Sequence, residues 1–120
     1  MGTEQKKAGQ FGEEAACAYL MEKGYRVTAR NYRCRFGEVD VIAETAKYLV
    51  FVEVKLRKDA SFAEAREAVT PTKQRRVIRT AEWWLRAHPT EKQPRFDVIE
   101  VYGAAGRIET INHIENAFGV

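Results

Sequence analysis

The sequence predicts an α/β domain with a central mixed sheet flanked by helices. Three observations lead there. Apolar residues near the N-terminus recur at helical spacing, whereas the segments that follow have the β-branched and aromatic content of strands. Three strand-like segments follow one another before a second helix begins. That second helix is itself followed by a strand, so it reads as a right-handed crossover between parallel strands. The expected order is helix, three strands, helix, strand, in a single domain spanning residues 1–120.

Taken in order, residues 4–23 carry the first helix, with Phe11, Ala15, Ala18 and Tyr19 on one face and Gly24 as its stop. A second stripe joins Glu13 to Ala16, Cys17 and Leu20, which places a charge on a mostly apolar line. Residues 25–33, YRVTARNYR, read as a strand, followed by strands at 38–44 and 48–56. The alanine-rich segment 58–69 reads as a mobile connection. Thr70 is placed to N-cap the second helix and Pro71 suits its first position. Gln74, Val77, Ile78, Ala81 and Leu85 form its core stripe, Trp84 also faces inward, and Pro89 ends it. Trp83 is expected to be partly buried against the final segment, the alternatives being stacking on a base or a place at a subunit interface. RFDVIEVYG (95–103) is another strand, and RIETINHIENAF (107–118) a short final strand and tail.

Composition narrows the classes. Hydrophobic residues make up 45% and charged residues 31%, as in ordinary globular proteins and unlike disordered ones. No apolar run approaches the roughly 18 residues that span a bilayer, so no membrane partner is expected. MGTEQKKAGQ lacks the apolar stretch of a secretion signal, and the expected location is cytoplasmic. The two cysteines have no metal-knuckle spacing, and neither His88 nor His113 has the spacing of a metal ligand. Net charge is only +3, but its distribution is uneven. Arg26, Arg30, Arg33 and Arg35 form one basic run; Lys73, Arg75, Arg76, Arg79 and Arg86 form another, interrupted by Glu82. Charge alone fits a polyanion partner and a pair of solvated faces equally well.

Within GEVDVIAETAKYLVFVEVKLR, three charges stand among valines: Asp40, Glu53 and Lys55. Strand 48–56 is apolar on both faces at its start, which predicts a central position covered on both sides. Charges at the end of such a strand cost several kcal/mol to desolvate unless paired or bound to an ion. With an even hairpin loop at 44–47, Asp40 lies opposite Phe51 and shares a face with Glu53 and Lys55. Two carboxylates so placed repel unless a cation intervenes, and hard oxygen ligands suit Mg²⁺ or Mn²⁺. The alternative is a surface Glu53–Lys55 pair with Asp40 near a turn. Gln74, at the first turn of the second helix, can face the carboxylates, with Lys73, Arg75, Arg76 and Arg79 beside it for a phosphate backbone.

These residues together resemble the PD-(D/E)xK, restriction-endonuclease-like nuclease superfamily, whose core has the αβββαβ order. Asp40 and Glu53-Val54-Lys55 match its signature. More closely, the blocks GQFGEEAACAYL, GYRVTARNYR, GEVDVIAE, LVFVEVKLR, AVTPTKQRRVIRTAEWWL and RFDVIEV resemble the YraN family, which is similar to the Holliday-junction-resolvase branch. The resemblance implies a metal-dependent endonuclease acting on DNA, including branched or structured DNA, with Asp40, Glu53 and the Val54 carbonyl holding Mg²⁺ or Mn²⁺. Lys55 then assists the attacking water, with Glu13 and Gln74 as further site residues. Lys73, Arg75, Arg76, Arg79, Arg33 and Arg35 are the expected nucleic-acid contacts, and the same likeness implies a homodimer. The competing readings are a catalytically inactive nucleic-acid-binding module and a protein-interaction domain.

Overall fold

The computed structural model describes residues 2–57, 69–104 and 107–119; the predicted connection at 58–69 lies outside them except for Val69. Its order is α1 (Gly2–Glu22), β1 (Arg26–Cys34), β2 (Gly37–Glu44), β3 (Tyr48–Arg57), α2 (Pro71–Ala87), β4 (Gln93–Ala104) and β5 (Arg107–Phe118). The five strands form one sheet in sequence order. The β1–β2, β2–β3 and β4–β5 pairs are antiparallel and β3–β4 is parallel, as a crossover through α2 requires. The mixed α/β class is therefore as expected, and β3 is central.

Each face of the sheet carries one helix. Ala15, Ala16, Cys17 and Leu20 of α1 pack on Val41, Ala43, Val50, Val52, Ile99 and Val101. On the other side, Val77, Ala81 and Trp84 of α2 pack on Ile42, Leu49, Phe51 and Phe96. Of the predicted Phe11–Ala15–Ala18–Tyr19 face, Ala15 is buried and Tyr19 packs on the same core but Ala18 is exposed, and the fuller buried line is Ala16, Cys17 and Leu20, the stripe that contains Glu13. The small side chains of Gly12, Ala15 and Ala16 let the helix lie close to the valines below, and Gly12 sits against Val54 and Leu56. Gly24, at φ 93, ends the helix as expected. At α2, the Thr70 hydroxyl accepts the Lys73 N–H at 3.2 Å and Pro71 follows it.

Three expectations are corrected. The last segment is a full strand of 12 residues along the sheet edge, with no tail before Phe118. Its period-two signal is weak because this edge strand is largely exposed. Trp83 rests on Phe36, in the β1–β2 turn, and not on the final segment. In the β2–β3 hairpin the parity is as predicted, but Ile42 and not Asp40 pairs with Phe51. The turn spans Thr45–Tyr48, where the Thr45 N–H donates to the Tyr48 carbonyl at 2.9 Å.

The end of the β4–β5 pair depends on Gly103, because a Cβ built there would run into the Arg107 carbonyl oxygen. Gly103→Ala is expected to cost about 2 kcal/mol or more, at the upper part of the overpacking range. Urea denaturation of the folded variant measures this directly.

Candidate active site

The site forms where the sheet stops being regular. Residues two apart on a strand normally share a face. Val41 nevertheless lies in the core beneath α1, while Val39 lies in the core beneath α2. Strand β2 therefore turns over across Asp40. Its neighbour β1 does the same at Asn31, whose φ is 51. The β2–β3 ladder runs from Glu44–Leu49 to Val41–Val52, whereas β3 continues alongside β4 as far as Arg57–Tyr102. A cleft of roughly 450 Å³ opens at this point, lined by Gly37, Asp40, Glu53, Lys55, Lys73 and Arg76 among others.

Asp40 belongs to neither face in the simple way the alternation predicted. Its Oδ2 accepts the Val54 N–H at 2.8 Å and so supplies an acceptor to β3 where backbone pairing with β2 ends. Burial, and then the charge of Glu53, push its pKa up to about 7, against the opposing Val54 hydrogen bond. Glu53 is 3% exposed. Its Oε2 lies 3.3 Å from the Nζ of Lys73, which reaches over from the first turn of α2. Lys55, two residues along β3, has its pKa lowered to about 8 by burial and by the adjacent Lys73. Burial opposes the charge on Lys73 too. The hydrogen bond to Lys55 and the charge of Glu53 outweigh it, so the pKa of Lys73 is raised. Two carboxylates and two amines thus share one pocket, and of the two amines Lys55 is the one whose pKa is lowered.

The other expected site residues are distributed around this centre. Glu13 comes from α1, and its pKa is raised by burial; an Asn31 hydrogen bond opposes this and the Asp40 charge adds to it. Gln74 donates from Nε2 to the Val69 carbonyl at 2.9 Å, which ties the entry of α2 beside the cleft. Arg76 lines the cleft, while Arg75 is exposed and bonded to Thr72 at 3.3 Å. Arg33 forms an exposed pair with Glu38 at 2.8 Å. Arg35 and Arg79 lie over the Phe36 ring, at 5.3 and 5.7 Å from its centroid. Lys73 is placed among the carboxylates and not on a free outer face.

One neighbour was missed. Glu100 on β4 is paired with Lys55 across the parallel ladder and is 2% exposed. Tyr102 and Asn112 donate to its two oxygens at 2.8 and 2.7 Å. The signal was present in RFDVIEVYG, where Glu100 interrupts an apolar strand as Glu53 does. It carries little weight until the parallel register places it beside Lys55.

The donors fit a small hard cation. Asp40 and Glu53 present two carboxylates in a water-accessible cleft, where burial and then the charge of Glu53 raise the pKa of Asp40. Among the described residues no group of three or more His, Cys, Asp or Glu is arranged to hold a metal.

Comparison with known proteins adds the lineage. The model of a family described as "Uncharacterised protein family UPF0102" matches residues 12–101. A UPF0102 protein of Chlorobium phaeobacteroides is 47% identical over 116 residues, covering 92% of each chain. One from Pelobacter propionicus is 44% identical over 118 residues, covering 96% of this chain and 84% of its own. Another, from Caldicellulosiruptor saccharolyticus, is 42% identical over 116 residues, with 95% and 98% covered. Similarity of this extent runs through both helices and the strands that build the cleft, and by it the chain belongs to the uncharacterised protein family UPF0102, the YraN family.

Proposed function

We propose that this protein is a divalent-metal-dependent endonuclease that hydrolyses phosphodiester bonds in DNA, with branched and structured DNA among its substrates. The observation that carries the reading is the meeting of Asp40, Glu53 and Lys55 at the open end of a central strand, beneath a helix that presents Lys73 and Arg76. Asp40, Glu53 and the Val54 carbonyl would hold Mg²⁺ or Mn²⁺. When bound, that cation supplies positive charge for the phosphoryl oxygens and acidifies water.

The protein's own groups do the rest. The Val54 N–H fixes one oxygen of Asp40, so its carboxylate is oriented before any ligand arrives. The pKa of Lys55 is lowered to about 8, so a fraction of Nζ is unprotonated near neutral pH and that form can take a proton from the attacking water. Lys73 balances Glu53 and, with Arg76, meets the phosphate from the helix side. Glu13 approaches from the opposite helix and bounds the carboxylate end.

Linear, nicked, flap and four-way-junction DNA, each incubated with Mg²⁺, Mn²⁺ or a chelator, test the reading. Cleavage is expected only with a divalent cation, and Lys55→Ala is expected to slow it by about 100-fold or more. Folded wild-type protein that cuts none of these substrates with either cation would overturn it.

A further inference from the structure

Beside the cleft lies a patch whose chemistry differs from that of the site. Met21, Trp83 and Ile108 are the exposed large hydrophobic residues among those described, and Trp83, 38% exposed, is the aromatic one. Its indole meets the Phe36 ring edge-on at 5.7 Å. Arg86 lies over Trp83 at 5.5 Å, and Arg35 and Arg79 lie over Phe36. A hollow of roughly 280 Å³ is lined by Phe36, Arg79, Glu82, Trp83 and Arg86. The two arginines of the hollow, with Arg35 on the Phe36 ring, outnumber its one glutamate and favour an anion, while the rings call for a flat apolar group.

The patch is continuous with the cleft at two places. Phe36 precedes Gly37, and Arg79 follows Arg76 by one helical turn, about 5 Å along the axis; Gly37 and Arg76 both line the cleft. A nucleotide supplies a flat base and a phosphate together. In a duplex the base faces are covered by neighbours, so only an unpaired nucleotide can offer one to an indole. We propose that Phe36 and Trp83, with Arg35, Arg79 and Arg86, form a stacking site for one unpaired nucleotide of a DNA strand whose backbone passes through the adjacent cleft. The base takes the ring face over which an arginine lies in the free protein, and the arginines turn to the flanking phosphates. This assignment rests on the nuclease reading for the class of ligand, and names a single-stranded element as part of the substrate.

The test is binding in chelator, where cleavage plays no part. Tryptophan fluorescence is followed as the protein is titrated with short oligothymidylate or with blunt duplex. Trp84 is buried and stacked on His88 at 3.7 Å, so quenching reports chiefly on Trp83. Trp83→Ala is expected to weaken single-strand binding by about ten-fold and to leave duplex binding nearly unchanged. Trp83→Phe, which keeps a stacking ring, is expected to restore most of the affinity without the quenching. Equal single-strand affinity in wild type and Trp83→Ala would overturn the assignment. So would a concentration-dependent dimer, seen by sedimentation, that Trp83→Ala dissolves without changing DNA affinity, because the patch would then be a subunit interface. Trp83-dependent binding in a protein that cuts nothing with either metal supports the stacking site and removes the nuclease reading. Absence of any oligonucleotide binding removes the stacking site, and the cleavage assay with Mg²⁺ or Mn²⁺ decides the nuclease reading separately.

Discussion

Asp97→Ala is expected to destabilise the protein by about 3–5 kcal/mol, the range for removing one partner from a buried ion pair. Asp97 is fully buried on β4, on the α1 side of the sheet. Both of its oxygens are held by Arg95, at 2.9 and 2.8 Å. His113 Nε2 lies 2.7 Å from Oδ2, and the Asn116 N–H donates to Oδ1 at 3.0 Å. The β4–β5 register shifts between Phe96 and Val98, and Asn116 adopts a φ of 52, so the end of β5 is shaped around this carboxylate. Without it, a nearly buried guanidinium and a backbone N–H lose their acceptor. Arg95 would keep Tyr25, whose hydroxyl it reaches at 2.7 Å, but among the described residues no carboxylate closer than Glu115 at 3.8 Å.

The same contacts set a pH dependence. Burial alone would raise the pKa of Asp97, but hydrogen bonds from His113, Arg95 and Asn116 outweigh it and hold the carboxyl below its ordinary value. A depressed carboxyl contributes stability above its unfolded pKa, about 4, and loses it as pH falls through the lower folded value. Urea titrations from neutral pH into acid should therefore show the gap between wild type and Asp97→Ala narrowing below about pH 4. A variant within about 1 kcal/mol of wild type at pH 7 would mean that β5 is held by its apolar contacts alone.

Asp40→Asn is expected to have the opposite effect on stability. Here burial and the neighbouring Glu53 raise the pKa to about 7, so the folded state disfavours the charge. Stability linked to this group is fully present below about pH 4, its unfolded pKa, and is lost as pH rises through about 7. Asparagine removes the charge yet can still accept the Val54 N–H through Oδ1. In chelator, the variant should match wild type in acid and exceed it by about 1–3 kcal/mol above neutrality. Added Mg²⁺ or Mn²⁺ should stabilise wild type and leave the variant unchanged, since only an ionised pair favours the cation. Cleavage should fall by about 100- to 1,000-fold in the variant, the order seen when one group that supports transition-state stabilisation is removed. Thermal melts against pH, with and without the metal, check the first two expectations. If Asp40→Asn is instead less stable than wild type at high pH in chelator, the Val54 contact matters more than the repulsion.

Much of the architecture was legible in the residues because it depends on local pattern. The αβββαβ order follows from helical and strand periodicities, the entry of α2 from Thr70 and Pro71, and the central place of β3 from valines and large apolar residues on alternate faces. The buried Glu53 and the half-buried Asp40 and Lys55 were legible for the same reason: they break an apolar pattern that would otherwise be complete. Where the pattern was weak the reading fell short. The small residues of α1 bury a different line from the aromatic one, because close approach to the sheet selects Gly12, Ala15 and Ala16 over bulk. Strand β5, exposed along an edge, shows little alternation to read.

The sequence by itself determined the order of elements, the two-sided burial of β3 and the presence of unpaired-looking charges at its end, since each depends on neighbours in the chain. Tertiary structure alone decided which of those charges meet. Strand β2 turns over at Asp40, so its carboxylate reaches the Val54 N–H in a way strict alternation does not allow. The parallel register brings Glu100 beside Lys55, and the docking of α2 lowers Lys73 onto Glu53. The physical reason is the same in all three cases: a charge is disfavoured or held according to what lies within a few ångströms of it in space, and those neighbours come from separate strands and helices.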